Sequence, residues 1–401
     1  LFLLLAAGGL LIAAVDHKPL VSRGETISPI AVAQARWFFS ANDPRRLQAG
    51  EARRTAIPAA LIDEGINYIA SRFLSGRGAL VLAEDTAEIR LSLRPPFLPS
   101  EYFLNLSATL REAQGEPHLA AARLGALPVP PVLVEFFIAH AIRLAGYEQE
   151  WQLARKAISS LEFDPQRQRV IVAYVWEPAL LDHARNFAIN PQDVARIRSA
   201  HEALAALFDH RAPGSRMAFS EVLKSLLNVG GDDQIQNRRA ALLALAAYLS
   251  EKNLAQVIPE AKNWPRARPI MLTLTGRYDS AQHFAISSAL AAWAGEPIAD
   301  AIGVYKEMLD ARHGGGFSFA DLAADRAGTR FGEQLTRHPE RIDQLLASAF
   351  SDSDLVPSLN GLPEYLSERE FRQRFGGPGK PAYQKMLNEI EQRLNKIPLY
   401  E

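Results

Sequence analysis

The sequence predicts an α+β N-terminal domain, an antiparallel sheet wrapped on helices, followed by an all-α C-terminal domain. Two observations carry this. Period-2 alternation of apolar and polar residues recurs between Ala79 and Trp176, and beyond Pro178 it gives way to Ala- and Leu-rich windows of helical spacing. The length of 401 residues also exceeds one ordinary core and favours two domains of roughly 100–200 residues each. The expected divisions are an apolar segment 1–15, an α+β domain 16–178 and a helical domain 179–401.

Taken in order, Ser28-Pro29 reads as a helix N-cap followed by proline at the first helical position. It opens an amphipathic segment through Trp37, Phe38 and Phe39 that Asn42-Asp43-Pro44 ends. Leu61, Ile62, Ile66, Ile69 and Phe73 recur at helical spacing, so a second helix is expected over 58–74. Strands over 79–82 and 88–93 flank the polar Glu84-Asp85-Thr86, either as a hairpin or as one strand with a bulge. Tyr102, Leu104, Leu106 and Ala108 alternate with Asn105 and Ser107, the pattern of a half-buried strand.

A further strand runs from Gly115-Glu116-Pro117 to Leu124, and Leu127-Pro128-Val129-Pro130-Pro131 leads into an apolar helix over 132–144. Asp164-Pro165-Gln166 is a turn between strands 161–163 and 170–176, the second of them apolar on both faces and expected to be buried on both. Helical windows then follow at 193–208, 219–227, 236–249, 281–294, 298–312, 319–335 and 383–396. Repeats of the kind that build solenoids are not seen.

Residues 1–15 carry no polar side chain, and the run stops at Asp16-His17-Lys18. Because the chain begins at Leu, residues upstream are expected, and the full run then reaches the ~20 residues that span a bilayer. An uncleaved transmembrane anchor, a cleaved signal peptide and a buried helix all fit this window. The charges that would set orientation lie upstream.

Lys and Arg number 44 against 45 Asp and Glu, so no strong net field points to a nucleic-acid partner. The absence of cysteine from the sequence excludes disulfides, thiolate catalysis and thiolate-bound zinc within it.

Three stretches of the first domain carry a likeness: Asp63-Glu64-Gly65-Ile66-Asn67-Tyr68-Ile69, Glu88-Ile89-Arg90-Leu91-Ser92-Leu93, and Arg123-Leu124-Gly125-Ala126-Leu127-Pro128-Val129-Pro130. Over roughly 55–178 the chain resembles the bacterial relatives of the tubular lipid-binding (TULIP-type) domains. In that family a curved sheet on a long helix encloses an apolar groove. The resemblance implies a lipid or other hydrophobic ligand against Leu104, Leu106, Phe136, Val170 and Val172, each of which also fits an ordinary core.

The densest polar pattern lies in the second domain, in Gly276-Arg277-Tyr278-Asp279-Ser280-Ala281-Gln282-His283-Phe284, Gly303-Val304-Tyr305-Lys306-Glu307-Met308-Leu309-Asp310 and the run from Gly314 to Asp325. It resembles runs in uncharacterised proteobacterial envelope proteins, some of them small lipoproteins. That likeness implies the inner membrane, with the soluble part in the periplasm, and no activity.

On helices, Asp279 and His283 share a face, as do Asp300, Gly303, Glu307 and Asp310, and again Asp321, Asp325, Gly328 and Gly332. Glycines let backbones approach, and three helices then share one polar seam. His283, Glu307, Asp310 and Asp325 are the candidate catalytic residues. His283, Asp279, Glu307 and Asp310 are the candidate ligands of a divalent metal.

The same residues also read as structure. Asp279 with Gln282 and Ser318 with Asp321 fit capping boxes, Lys306 with Asp310 an i,i+4 pair, and His283 a buried donor to a carboxylate. Gly314-Gly315-Gly316 fits a connector or an anion cradle, without the Lys-Ser/Thr of a P-loop.

Three functions fit: a membrane-tethered protein that holds a hydrophobic ligand or docks an envelope partner, a metal-dependent hydrolase, and an envelope scaffold.

Overall fold

The computed structural model describes residues 13–43, 46–96, 98–113, 116–144, 146–179, 190–228, 233–251, 254–256, 258–313 and 315–401. The first twelve residues of the apolar run 1–15, and Gly314 of the glycine run, lie outside these. The chain forms two compact units, Leu1–Phe187 and Ala188–Glu401.

The first unit opens with β1 (Val15–Asp16) and α1 (Pro29–Ala41), where Ser28 accepts from the Ile30 amide and Pro29 occupies the first turn as expected. After β2 (Ala52–Pro58) comes α2 (Ala59–Phe73), then β3 (Gly76–Leu82) and β4 (Thr86–Leu93). The polar Glu84-Asp85 segment closes a hairpin, with the Ala83 amide donating to Thr86 O at 2.8 Å. β5 (Phe103–Ala113), β6 (Glu116–Leu124) and β7 (Leu127–Val129) extend this into an antiparallel meander ordered β3-β4-β5-β6-β7, with β1 also paired to β5 through Val15 and Leu104.

Val15 is therefore a strand residue and Ala14 is buried, so the last part of the apolar run packs on the sheet. No helix among the described residues is long and apolar enough to cross a membrane.

Edge strand β3 is covered by α2. The Asp63 carboxylate accepts the Leu80 amide at 2.7 Å and Asn67 Oδ1 accepts the Gly78 amide at 3.2 Å, which satisfies edge donors that would otherwise be free to pair. A Cβ at Gly78 would stand 2.6 Å from Ile66 Cγ2, so glycine is what allows the helix this close.

The chain continues through α3 (Pro131–Leu144) and α4 (Glu148–Ala157) to β8 (Ile158–Asp164) and β9 (Arg169–Val175). These last strands join β2 in a second sheet, ordered β2-β9-β8. The strands of this unit thus divide between two sheets. The apolar run 170–176 is central in its sheet, yet within β9 only Val170 is buried, which corrects the expectation of burial on both faces.

In the second unit α5 (Pro191–Asp209) is capped by Asn190, whose side chain accepts the Asp193 amide. β10 (Arg216–Ala218) pairs in parallel with β11 (Met271–Thr273), a correction to the all-α expectation. Runs of three residues carry too little periodicity to be read from sequence.

Between and after them lie α6 (Phe219–Leu227), α7 (Gln234–Leu249), α8 (Tyr278–Ala294), α9 (Glu296–His313), α10 (Phe319–Arg337), α11 (Pro339–Ala347), α12 (Glu368–Phe375) and α13 (Pro381–Leu394). Phe208, Phe219, Leu223, Phe284, Phe319 and Phe331 are buried in the core they share. α8 crosses α10 closely: a Cβ at Gly328 would lie 2.3 Å from Phe284 O, and one at Gly332 would lie 2.3 Å from Ser288 O. Matching four-residue spacings on both helices bring the backbones into contact along one stripe.

Candidate metal centre

That crossing sets the depth at which α8 and α10 present their polar side chains. His283 is buried on α8, and its Nδ1 lies 3.1 Å from Asp325 Oδ1 on α10. A carboxylate only accepts, so Nδ1 carries the proton. One turn further along α8, the Ser287 hydroxyl donates to the same oxygen at 2.7 Å. The other oxygen, Asp325 Oδ2, is buried without a hydrogen-bond partner among the described residues, facing Gly303 of α9, where a Cβ would stand 3.0 Å away. Gly303 leaves room for the carboxylate.

The third side of the centre comes from α9. Glu307 is fully buried; its Oε2 accepts the Ser318 amide at 3.0 Å, and its Oε1 lies 3.9 Å from His283 Nε2. Ser318 in turn caps α10 by accepting the Asp321 amide at 3.0 Å. Lys306 reaches in beside Glu307. Its Nζ is 3.1 Å from His283 Nε2, 3.3 Å from Glu307 Oε1 and 2.8 Å from Asp310 Oδ2. Asp321 Oδ2 approaches Nε2 to 3.7 Å, while its Oδ1 has no hydrogen-bond partner among the described residues.

These charges set the titration of the centre. Burial alone lowers the His283 pKa, but Asp325 and then Asp321 outweigh it against Lys306, and the imidazole is pushed up to about 9. Burial pushes Glu307 up to about 7 against the pull of Lys306 and His283. Asp321 is raised by the same desolvation. An imidazolium and an ammonium do not share a 3.1 Å contact. That contact has Lys306 donating to a neutral Nε2, while the surrounding acids favour a proton on the ring. Nε2 is thus a position contested between cations.

The ligand atoms of His283, Glu307 and Asp325 lie within 4.8 Å of one another. Of the residues expected from sequence, these three converge. Asp310 lies at the exposed rim as the partner of Lys306. Asp279 stands outside the group, and its carboxylate takes the Arg277 guanidinium at 3.1 and 2.9 Å and the Ser280 amide at 2.7 Å. Burial raises Asp279, and these donors bring it below the ordinary carboxylate range. Its expected capping box with Gln282 does not form, since Arg277 is the N-cap and Gln282 donates to Leu249 O. Sequence reasoning passed over Ser287 and the intrusion of Lys306. The one available signal was that Ser287 lies four residues from His283 and so on its face.

The five residues expected to line a groove lie on three elements. Leu104 and Leu106 are half-buried on β5 in the larger sheet, Val170 is buried and Val172 half-buried on β9 in the smaller one, and Phe136 on α3 is 61% exposed.

No family model matches the chain, nor does any curated protein or solved structure. The likenesses to tubular lipid-binding domains and to envelope lipoproteins rest on the quoted residues alone.

Proposed function

We propose that the second unit binds a divalent cation at His283, Glu307 and Asp325 and uses it in a hydrolytic reaction. The observation that supports this most is the convergence of one imidazole and two carboxylates, all buried, with ligand atoms within 4.8 Å. Nitrogen and oxygen donors in that ratio suit zinc or manganese. The donor set also fits on an independent ground, because Asp325 Oδ2 is buried and unpartnered among the described residues. A bound cation would supply Lewis acidity.

The chain's own residues supply the rest. Ser287 and Gly303 fix Asp325, Asp325 fixes the His283 ring, and Asp321, with its raised pKa, stands beside Nε2 as a proton acceptor. Lys306 is the displaced cation: its side chain is 45% exposed, so the ammonium has a route outward with Asp310.

Calorimetric titration of the full chain with Zn²⁺ or Mn²⁺ after chelation tests this. One cation per chain is expected, lost in His283→Ala and bound more tightly in Lys306→Gln, which removes the competing charge. If folded wild type and folded Lys306→Gln both fail to bind, the metal reading is wrong. Cation-dependent turnover of a panel of esters and phosphoesters tests the hydrolytic step; none with the cation bound would reject hydrolysis.

The position of Lys306 favours one other reading, an ion network that fastens α8, α9 and α10 with the ammonium as its resident cation. Lys306→Gln would then lower the melting temperature, and no divalent ion would restore it.

A further inference from the structure

α3 is a helix of 14 residues with none buried. Val132, Leu133, Phe136, Phe137, Ile138 and Leu144 are all exposed, and the helix touches its unit through β6 and α4, with Val134 and Ile142 only half-buried. An apolar surface of this density is not left to water without a reason. At 3.6 residues per turn, Leu133, Phe137, Ala141 and Leu144 form one apolar stripe, and Glu135, His140 and Arg143 fall beside it among the equally exposed Val132 and Phe136. A helix whose exposed surface is mostly apolar, with only three polar side chains, fits the acyl boundary of a membrane interface, from which the long Arg143 side chain can reach headgroup level.

A separate observation identifies the occupant. The Ala126 amide donates to Ala13 O at 2.8 Å. The adjacent Gly125, at φ +56°, lies so close that a Cβ would be 2.6 Å from Ala13 O and 2.7 Å from Ala14 O. The chain leading into Ala13 is Leu-Phe-Leu-Leu-Leu-Ala-Ala-Gly-Gly-Leu-Leu-Ile, without one polar side chain. This run therefore meets the unit at the β6–β7 turn, and β7 leads directly into α3. One lipid surface accounts for both features, an apolar stretch of chain and an exposed apolar helix that start from the same turn. A protein partner for α3 would account for one.

From these we infer that α3 is a membrane-contact helix that seats the first unit on a lipid bilayer, with Leu133, Phe137 and Leu144 inserted. The inference does not depend on the metal centre.

The absence of cysteine from the sequence makes the test clean. Phe137→Cys, and as a control Asp85→Cys in the exposed β3–β4 turn, are spin-labelled in the full chain and reconstituted with phosphatidylethanolamine–phosphatidylglycerol vesicles. The label at 137 is expected to be relaxed strongly by oxygen and weakly by a water-soluble nickel chelate, and the label at 85 the reverse. Equal exposure of both labels to the chelate would overturn the inference. Shielding of 137 from both reagents would overturn it too, since residues 1–12 or a second copy would then cover α3. Failure of the chain to associate with vesicles would do the same.

Discussion

His283 Nδ1 and Asp325 Oδ1 stand 3.1 Å apart across two helices whose backbones meet at Gly328 and Gly332. The hydrogen bond exists because the helices are that close. Neither side chain is long enough to restore it if they separate.

Gly332→Ala is therefore expected to do two things. The added methyl meets Ser288 O at 2.3 Å and the Ala291 side chain at 2.9 Å, so the helices must part, at a cost of about 1–3 kcal/mol. The melting temperature falls, and the His283 ring signals shift as Asp325 recedes. A variant as stable as wild type with unchanged ring signals would show that the contact is not a constraint.

Asp325→Asn isolates the charge. Asp325 is the strongest influence raising His283, and without it burial dominates, so the imidazole pKa is expected to fall from about 9 to below its ordinary 6.5. Titration of the ring protons by NMR measures this directly. A pKa that stays near 9 would mean that Asp321 or Glu307 holds the proton.

Much of this centre was legible. Three- and four-residue spacings placed Glu307 with Asp310 and Asp321 with Asp325, each pair on one face, and the glycines at 303, 328 and 332 foretold the close approach, because helix geometry is periodic and local. Asp279 was misplaced for a local reason as well: Arg277, two residues earlier, holds its carboxylate outside the group. α1, α2 and α3 followed from patterning and turn residues, and the hairpin was one of the two arrangements those residues allowed. The short strands β10 and β11 and the split into two sheets did not, since pairing between distant strands depends on tertiary contacts that periodicity does not encode. The exposure of α3 was equally hidden, because an apolar helix reads the same whether it faces a core or a bilayer.

Arg238 is 2% exposed, donating to Leu227 O at 3.2 Å and to Asp343 at 2.6 Å. Asp343 is half exposed, yet its loss strands a buried guanidinium. Asp343→Ala is expected to cost about 1–3 kcal/mol, below the figure for a fully buried pair because water screens the carboxylate. Arg238→Met, which removes the charge and keeps the stem, should cost less. Urea unfolding of the two variants decides, and the reverse order would show that the Leu227 contact matters more than the charge.

Without added metal, the centre makes stability fall as pH rises. His283 and Glu307 both bind protons more tightly folded than unfolded, so their contributions are full below the unfolded values, 6.5 and 4.5, and are lost as pH passes through about 9 and about 7. Unfolding free energy should decline across both windows, and Glu307→Gln should flatten the lower one. A profile that rises between pH 4.5 and 7 in wild type, and is unaffected in Glu307→Gln, would contradict the assignment of a raised carboxyl to Glu307.

A divalent cation held at the proposed site would reverse the sign. At the proposed site it would compete with the protons of His283 and Glu307 and with Lys306, so each pH increment that strips a proton would remove a competitor, and affinity should rise while the stability of the metal-free chain falls. The stabilisation conferred by a fixed excess of Mn²⁺ follows the logarithm of affinity, so the gap between metal-loaded and metal-free melting temperatures should widen from pH 6.5 to pH 9. In Lys306→Gln the gap should be larger at every pH and open at lower pH, because one competitor is gone throughout. A constant gap would contradict binding at His283 and Glu307, since a site that includes them must exchange protons for metal in that window.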